Sequence, residues 1–294
     1  MIFFYLNTIM KINIVYRQTF KEEDYFDGLN YNNIIELHDF IPQLFLDSDS
    51  VYIFANMWLL DEVIDQLGSE IYTSARFIFL NVEQLSDHQI MNQMIRLANK
   101  GVHLADCSKS NIDMFNIFFK HKYHITPPKI QLLPYQYNAV ENNMIKANKD
   151  MVYDFDVGII NATTYKRKEI LELMKTKPWT TTNITGCRID RDKQVRKCKI
   201  ILNIHNFSIF DAFEHVLCDK LIFADKLIIS DTSYKQTLMD IYPFVIFTEH
   251  ESIINTTQNV LNNFDKLQHN MECLPKQTVI DDRKNDFITF KSQF

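Results

Sequence analysis

The side chains of this chain best suited to chemistry are polar groups that directly follow short apolar runs. In the first half they are Asn56, Glu83, Gln84, Asp106, Ser108 and Tyr135; in the second, Asn161, Thr163, His205, Asn206, Ser230, Asp231 and Glu249. If each run is a strand of an open parallel sheet, these residues gather at the carboxyl ends of the strands, where such sheets bind ligands. Carboxylates, amides and hydroxyls gathered there suit a polyhydroxylated ligand. A carboxylate on the first-half side of a cleft could take the proton of an incoming hydroxyl, and Glu83 and Asp106 are the best placed. Each has an ordinary structural alternative, Glu83 as a loop cap and Asp106 as the N-cap of the following helix.

Other chemistries are poorly supported. There are only 5 glycines, Gly28, Gly68, Gly101, Gly158 and Gly186, and no two lie within 25 residues of each other. Dinucleotide, Walker A and kinase loops and nucleophile elbows all need clustered glycines, so a phosphate would have to be held by helix N-termini and basic side chains. Three D-x-D pairs occur (Asp47/Asp49, Asp154/Asp156, Asp190/Asp192), but 24 aspartates in 294 residues give about two by chance. A hard cation needs oxygens converging on one point, and these pairs are scattered. His121 and His124 share a helix end with no third ligand in view, so no metal site is expected. The 5 cysteines form no C-x-x-C pair and are odd in number, which fits a reducing compartment, and Cys107 and Cys218 read as buried thiols. The net charge of −6 is no footprint of a nucleic-acid binder. No stretch has the ~20 apolar residues of a membrane span. Asn, Ile, Lys, Phe and Tyr are abundant while Gly, Pro and Ala are scarce, the coding bias of an AT-rich genome such as that of a large virus or a parasite.

The elements that must position these groups alternate. Strands are expected at 11–16, 51–55, 76–82, 102–106 and 129–135. Helices are expected at 58–67, 88–100 and 110–122, with Gly101 closing the second. After a helix at 138–147 the pattern restarts. Strands at 152–160, 179–185, 199–205, 226–230 and 242–248 interleave with helices at 163–175, 192–198, 210–219 and 251–268. The tail 275–294 is either a helix crossing back to the first half or a frayed end. Such alternation predicts parallel sheets covered by helices. The expected division is an N-terminal Rossmann-like domain, 1–148, and a C-terminal one, 149–294, carrying the tail.

Several segments, taken in order, resemble a known family. FLNVEQL (79–85), ADCSKSNIDMF (105–115) and LLPYQYNAVE (132–141) resemble the N-terminal half of GT-B-fold glycosyltransferases of a giant-virus and bacterial type, glycosyltransferase group 1-like. DVGIINATTYKRKEILELM (156–174), KCKIILNIH (197–205), FEHVLCDKLIFADKLIISDTS (213–233) and FVIFTEHESI (244–253) resemble its C-terminal half. The resemblance covers most of residues 50–265. It implies an α/β fold of two Rossmann-like domains facing across a cleft, with a nucleotide-sugar donor on the second domain. The acceptor, a glycan, protein or small molecule, would approach from the first. It further implies no bound metal and no cofactor beyond the nucleotide-sugar co-substrate; the net charge and the cysteines, read above, add the expectation of no nucleic-acid partner and of a cytoplasmic protein (host cytoplasm or virion, if viral). Lys166 and Arg167 match the family's basic pair at a helix start, where two cations and the helix dipole can stabilise a departing diphosphate. Glu214 matches a helix glutamate that accepts hydrogen bonds from ribose or sugar hydroxyls. His205 matches a strand-end histidine, and Ser230–Asp231 match a Ser-Glu pair with Asp for Glu.

There are departures. Leu217 stands where the family often has Arg, Lys220 where a second carboxylate belongs, and Asp225 where a Gly precedes the next strand. Two functions are therefore expected from different classes: a metal-independent glycosyltransferase, or a degenerate GT-B-like protein that binds a sugar nucleotide or serves a structural role without turnover. An unrelated doubly wound pair of flavodoxin or response-regulator type is weakened by the lack of an acidic triplet with a matching Lys.

Overall fold

In the computed structural model the described residues are 11–16, 33–36, 50–54, 77–81, 88–124, 126–146, 151–186, 188–205, 215–231 and 242–293. The strands are β1 (Lys11–Tyr16), β2 (Asn33–Glu36), β3 (Ser50–Phe54), β4 (Phe77–Asn81), β5 (His103–Asp106), β6 (Ile130–Leu132), β7 (Phe155–Ile160), β8 (Thr181–Ile184), β9 (Cys198–Asn203), β10 (Leu227–Asp231) and β11 (Val245–Thr248). They form two sheets, β2-β1-β3-β4-β5-β6 and β11-β10-β9-β7-β8. Every pairing in both is parallel. The apolar runs of β3 and β4 are buried at every position, as strands covered on both faces must be. β2 is an addition to the expected strands; its apolar run is only Ile34–Ile35, too short to stand out by periodicity.

The helices are α1 (His88–Asn99), α2 (Lys109–Tyr123), α3 (Ala139–Ile145), α4 (Tyr165–Lys175), α5 (Arg188–Arg196), α6 (His215–Phe223), α7 (Ile253–Asn262), α8 (Phe264–Cys273) and α9 (Lys276–Lys291). Gly101 closes α1 at φ +81, its N–H donating to Ala98 O. The helix expected at 251–268 is broken at Asn263, which ends α7 and begins α8 at φ −120, ψ 22. Asn263 Nδ2 bonds back to Asn259 O at 2.9 Å. An Asn side chain thereby replaces the ladder at a position with no Gly or Pro to announce it. The helix expected at 58–67 lies outside the described residues.

Each sheet has its own core. Phe54, Phe79, Met94 and Phe115 centre the first, and Ile159, Ile200, Leu221 and Ile228 the second. Two elements cross between them. α3 follows the first sheet but packs on α5 and α6 of the second. α9 returns to β6, so the tail is a crossing helix. Gln136 Nε2 donates to Arg283 O at 3.0 Å and Lys129 Nζ to Gln293 Oε1 at 2.9 Å, while Arg283 Nε lies 3.4 Å from the buried Asp219 carboxylate of α6. Among the described residues no helix is long and apolar enough to cross a membrane.

Candidate functional site

The strand order of the second sheet reverses at β7: β8 lies on one side and β9 on the other. The carboxyl ends of β7 and β9 therefore flank a topological switch point, the crevice of an open α/β sheet. β7 leaves the sheet through Asn161, held at φ 48, a left-handed conformation that Asn tolerates better than most residues. Ala162 N–H then donates to Asn183 Oδ1 at 2.9 Å. The turn delivers the chain to α4, whose N-cap Thr164 makes no side-chain capping bond. Its Oγ1 is buried without a partner among the described residues. A helix start left uncapped at a switch point is a place where backbone N–H groups and the helix dipole favour an anion.

Four of the residues singled out from sequence form the floor here. Arg167 is buried, its Nε donating to Ile204 O at 2.6 Å and its Nη1 to Ile160 O at 3.4 Å. It ties the end of β7 to the segment after β9. Asp231, at the end of β10, is buried and accepts the His205 N–H at 2.9 Å. The His205 ring is also buried, with Nε2 3.4 Å from the same oxygen. Ser230 Oγ accepts from Asn203 Nδ2 at 3.1 Å and donates to Asp231 O at 3.0 Å. Asn203 Oδ1, also buried, has no partner among the described residues. The rim is formed by two partly exposed groups beside the second Asp231 oxygen: Lys166 Nζ at 2.8 Å and His250 Nδ1 at 3.7 Å. His250 was missed by sequence reasoning. It follows Glu249, the residue marked by strand-end position, by one place, and its approach to Asp231 comes from the short helical turn 250–252.

Asp106 is the corresponding strand-end carboxylate of the first sheet, on β5. It is 0% exposed. Its oxygens accept from Asn81 Nδ2 at 2.7 Å, Ser108 N–H at 2.7 Å and Asn111 Nδ2 at 3.3 Å. Burial pushes its carboxyl from 3.8 up to about 7, against the pull of these donors. The N-cap of α2 is Ser108, whose Oγ accepts from Asn111 N–H at 3.3 Å. Asp106 instead ties β4, β5 and the start of α2 together from inside. Glu83 and Glu214 lie outside the described residues, as does Asn206.

The departures from the resembled pattern have structural explanations. Asp225 adopts φ 61 just past α6, with its N–H on Ile222 O and that of Lys226 on Leu221 O, so it takes the left-handed helix-end position that favours glycine. Its carboxylate is met by Lys146 at 2.5 Å and by Lys276. Lys220 is buried on Asp192 at 3.0 Å, with Arg191 3.2 Å from the same carboxylate. Leu217 packs on the second core. The D-x-D pairs within the described residues are engaged likewise: Asp154 with Lys197, Asp156 with Lys199, Asp192 with Lys220. Among the described residues no cluster of three or more His, Cys, Asp or Glu side chains could hold a metal ion. Cys107 and Cys218 are buried and form no disulfide among the described residues. Burial pushes the Cys198 thiol up to about 12.

No protein-family model matches the chain. Two similar sequences come from Acanthamoeba polyphaga mimivirus. Uncharacterized protein L137 is 26% identical over 79% of this chain, which spans 31% of that protein's length. Uncharacterized protein L140 is 26% identical over 82% of this chain and 76% of its own length. Among solved structures, an alpha-glucosyltransferase in complex with UDP-glucose and DNA containing an abasic site superposes with a TM-score of 0.57 at 10% identity, over 95% of this chain and 99% of that one. T4 phage BGT in complex with UDP and Mn2+ superposes with a TM-score of 0.52 at 12% identity, over 96% and 99%. The likeness to these structures is one of fold: two parallel sheets covered by helices, the GT-B architecture.

Proposed function

We propose that this chain is a glycosyltransferase that moves a sugar from a nucleotide-sugar donor to a glycan, protein or small-molecule acceptor, with no cofactor beyond the donor. In this reading residues 149–294 hold the donor and residues 1–148 receive the acceptor. The observation that carries it is the crevice between β7 and β9. There an uncapped helix start, the partly exposed Lys166 and the buried Arg167 put positive potential over a floor built by His205, Ser230 and Asp231. A diphosphate leaving group laid across the first turn of α4 gains charge as its bond to the sugar breaks. Cations and N–H groups fixed there stabilise that charge without reorganising. Lys166 and His250 are the groups that touch the donor, and Glu214 accepts from its hydroxyls. Arg167, His205, Ser230 and Asp231 act behind them as positioning residues. Asp106 is sealed, so Glu83 is the proposed base on the acceptor side.

The UDP-glucose and UDP held in structures of the same fold support a nucleotide-sugar ligand. Those neighbours include an enzyme described as DNA-modifying. The net charge of −6 argues for a non-nucleic-acid acceptor here. Metal-independent action is part of the proposal, as is a cytoplasmic setting, supported by cysteines that form no disulfide among the described residues.

A thermal-shift panel of nucleotide-sugars, without and with Mg²⁺ or Mn²⁺, tests it. A ligand at a hundredfold excess over its Kd adds about 2.7 kcal/mol of apparent stability. The expected result is a metal-independent shift with one donor, followed by nucleotide release when acceptors are added. A shift only with metal would contradict the metal-independent reading. Binding without release under any acceptor would assign the chain to the non-catalytic, sugar-nucleotide-binding class.

A further inference from the structure

At the opposite edge of the second sheet, where β7, β9 and β10 begin, lies a cavity of 1110 Å³. A smaller one of 360 Å³ shares Lys146, Asp225 and Glu272 with it. Six lysines line the two: Lys146, Lys199, Lys226, Lys266, Lys276 and Lys284, against three carboxylates. Lys146 and Lys276 pair with Asp225 and Lys199 with Asp156, so on a chain of net charge −6 the wall keeps a small local excess of positive charge, with Lys266 on its exposed side. Lys226 is buried; its Nζ donates to Cys198 O at 2.7 Å and Arg196 O at 3.0 Å and lies 5.1 Å from the Tyr153 ring centre. Tyr153 packs edge-on to Phe264 at 5.6 Å, and Lys199 Nζ is 5.8 Å from the Phe264 ring. Gln268 Nε2 donates to Asp225 O and Asn263 Nδ2 to Asn259 O, so these wall amides have their nitrogens engaged and offer oxygens as acceptors.

We propose that this cavity is a second ligand site, separate from the β7/β9 crevice, that takes an anionic saccharide: a sugar carrying a phosphate or a carboxylate. The lysines supply charge-assisted hydrogen bonds to the anion. The amide oxygens and carboxylates accept from hydroxyls. The Tyr153–Phe264 edge offers an apolar surface to one sugar face. The polar, charged wall does not suit the mostly apolar ligands that ordinary pockets of this size take.

The test uses the full chain and four probes: glucose 6-phosphate, glucuronate, glucose and inorganic phosphate. Calorimetry should show binding of glucose 6-phosphate or glucuronate, the stronger of the two naming the anion, and at least tenfold weaker binding of glucose and of phosphate. Lys266 is exposed on the first turn of α8, so Lys266→Glu should fold normally and weaken the anionic sugar about tenfold, whereas Arg167→Ala should leave its affinity unchanged. In the unmutated chain, saturating ligand should protect Lys146, Lys199 and Lys266 from acetylation and leave Lys166 reactive. Protection of Lys166 instead would overturn the proposal by returning the ligand to the crevice. No binding, or phosphate binding as tightly as the sugar, would overturn it as well.

Discussion

Asp106 and Asp231 occupy the same kind of position, the last residue of a strand in a parallel sheet, and both are buried. Asp106 is surrounded by neutral donors: two Asn side chains and one backbone N–H. Asp231 is surrounded by Lys166, His205 and His250. The first carboxylate closes a strand end from within; its proton is held up to about pH 7 by burial. The second sits beneath the partly exposed Lys166 and His250 at a switch point. Position at a strand end therefore identifies carboxylates that a sheet can present, while the neighbours decide whether one is sealed by neutral donors or faces a lysine at the rim.

Removing Asp231 gives the largest expected effect. Asp231→Ala leaves Lys166 without its close carboxylate and takes the acceptor from the His205 N–H. Breaking a buried pair costs about 3–5 kcal/mol, and with Lys166 about one-fifth exposed the lower end applies. Urea denaturation should show a loss near 3 kcal/mol, and donor binding should vanish. A loss under 1 kcal/mol with donor affinity intact would dissolve the distinction between the two carboxylates.

Asp106 should instead reveal itself through pH. Its folded carboxyl titrates near 7 against 3.8 when unexposed to this burial, so the folded state holds the proton more tightly than the unfolded one. The stability this contributes is full below about pH 4 and is lost as pH rises through about 7. Asp106→Asn should flatten the fall in stability between pH 4 and 7 and leave donor binding unchanged. Parallel stability curves for the two proteins would contradict this account of Asp106.

A smaller effect separates backbone from charge at Asp225. Asp225→Gly loses the contacts to Lys146 and Lys276 but keeps the left-handed conformation at low cost. Asp225→Ala loses both, so it should be less stable than the Gly variant by about 1 kcal/mol. Equal stabilities would mean that the helix-end conformation is unimportant.

Much of this arrangement is legible in the residues. Alternating apolar runs mark ten of the eleven strands, because a strand buried on both faces must be continuously apolar. The strand-end rule marks His205, Ser230 and Asp231 before any contact is known. What it cannot mark is pairing across distance. Lys220 with Asp192, Arg283 with Asp219 and His250 with Asp231 are brought together by packing, and neither residue of a pair carries a local sign of the other. The break at Asn263 is illegible for the opposite reason: it depends on a local side-chain bond that Asn makes in some settings and not in others. Asp225 is a third case, a Gly position filled by a residue that tolerates the same φ.

The most direct test of the account is donor affinity, measured by calorimetry with the nucleotide-sugar that most stabilises the chain, in the Lys166→Ala and Asp106→Asn variants. The account predicts at least tenfold weaker binding for Lys166→Ala, about 1.4 kcal/mol, and unchanged binding for Asp106→Asn. Unchanged binding in Lys166→Ala, or a loss confined to Asp106→Asn, would contradict a donor site at the carboxyl edge of the second sheet.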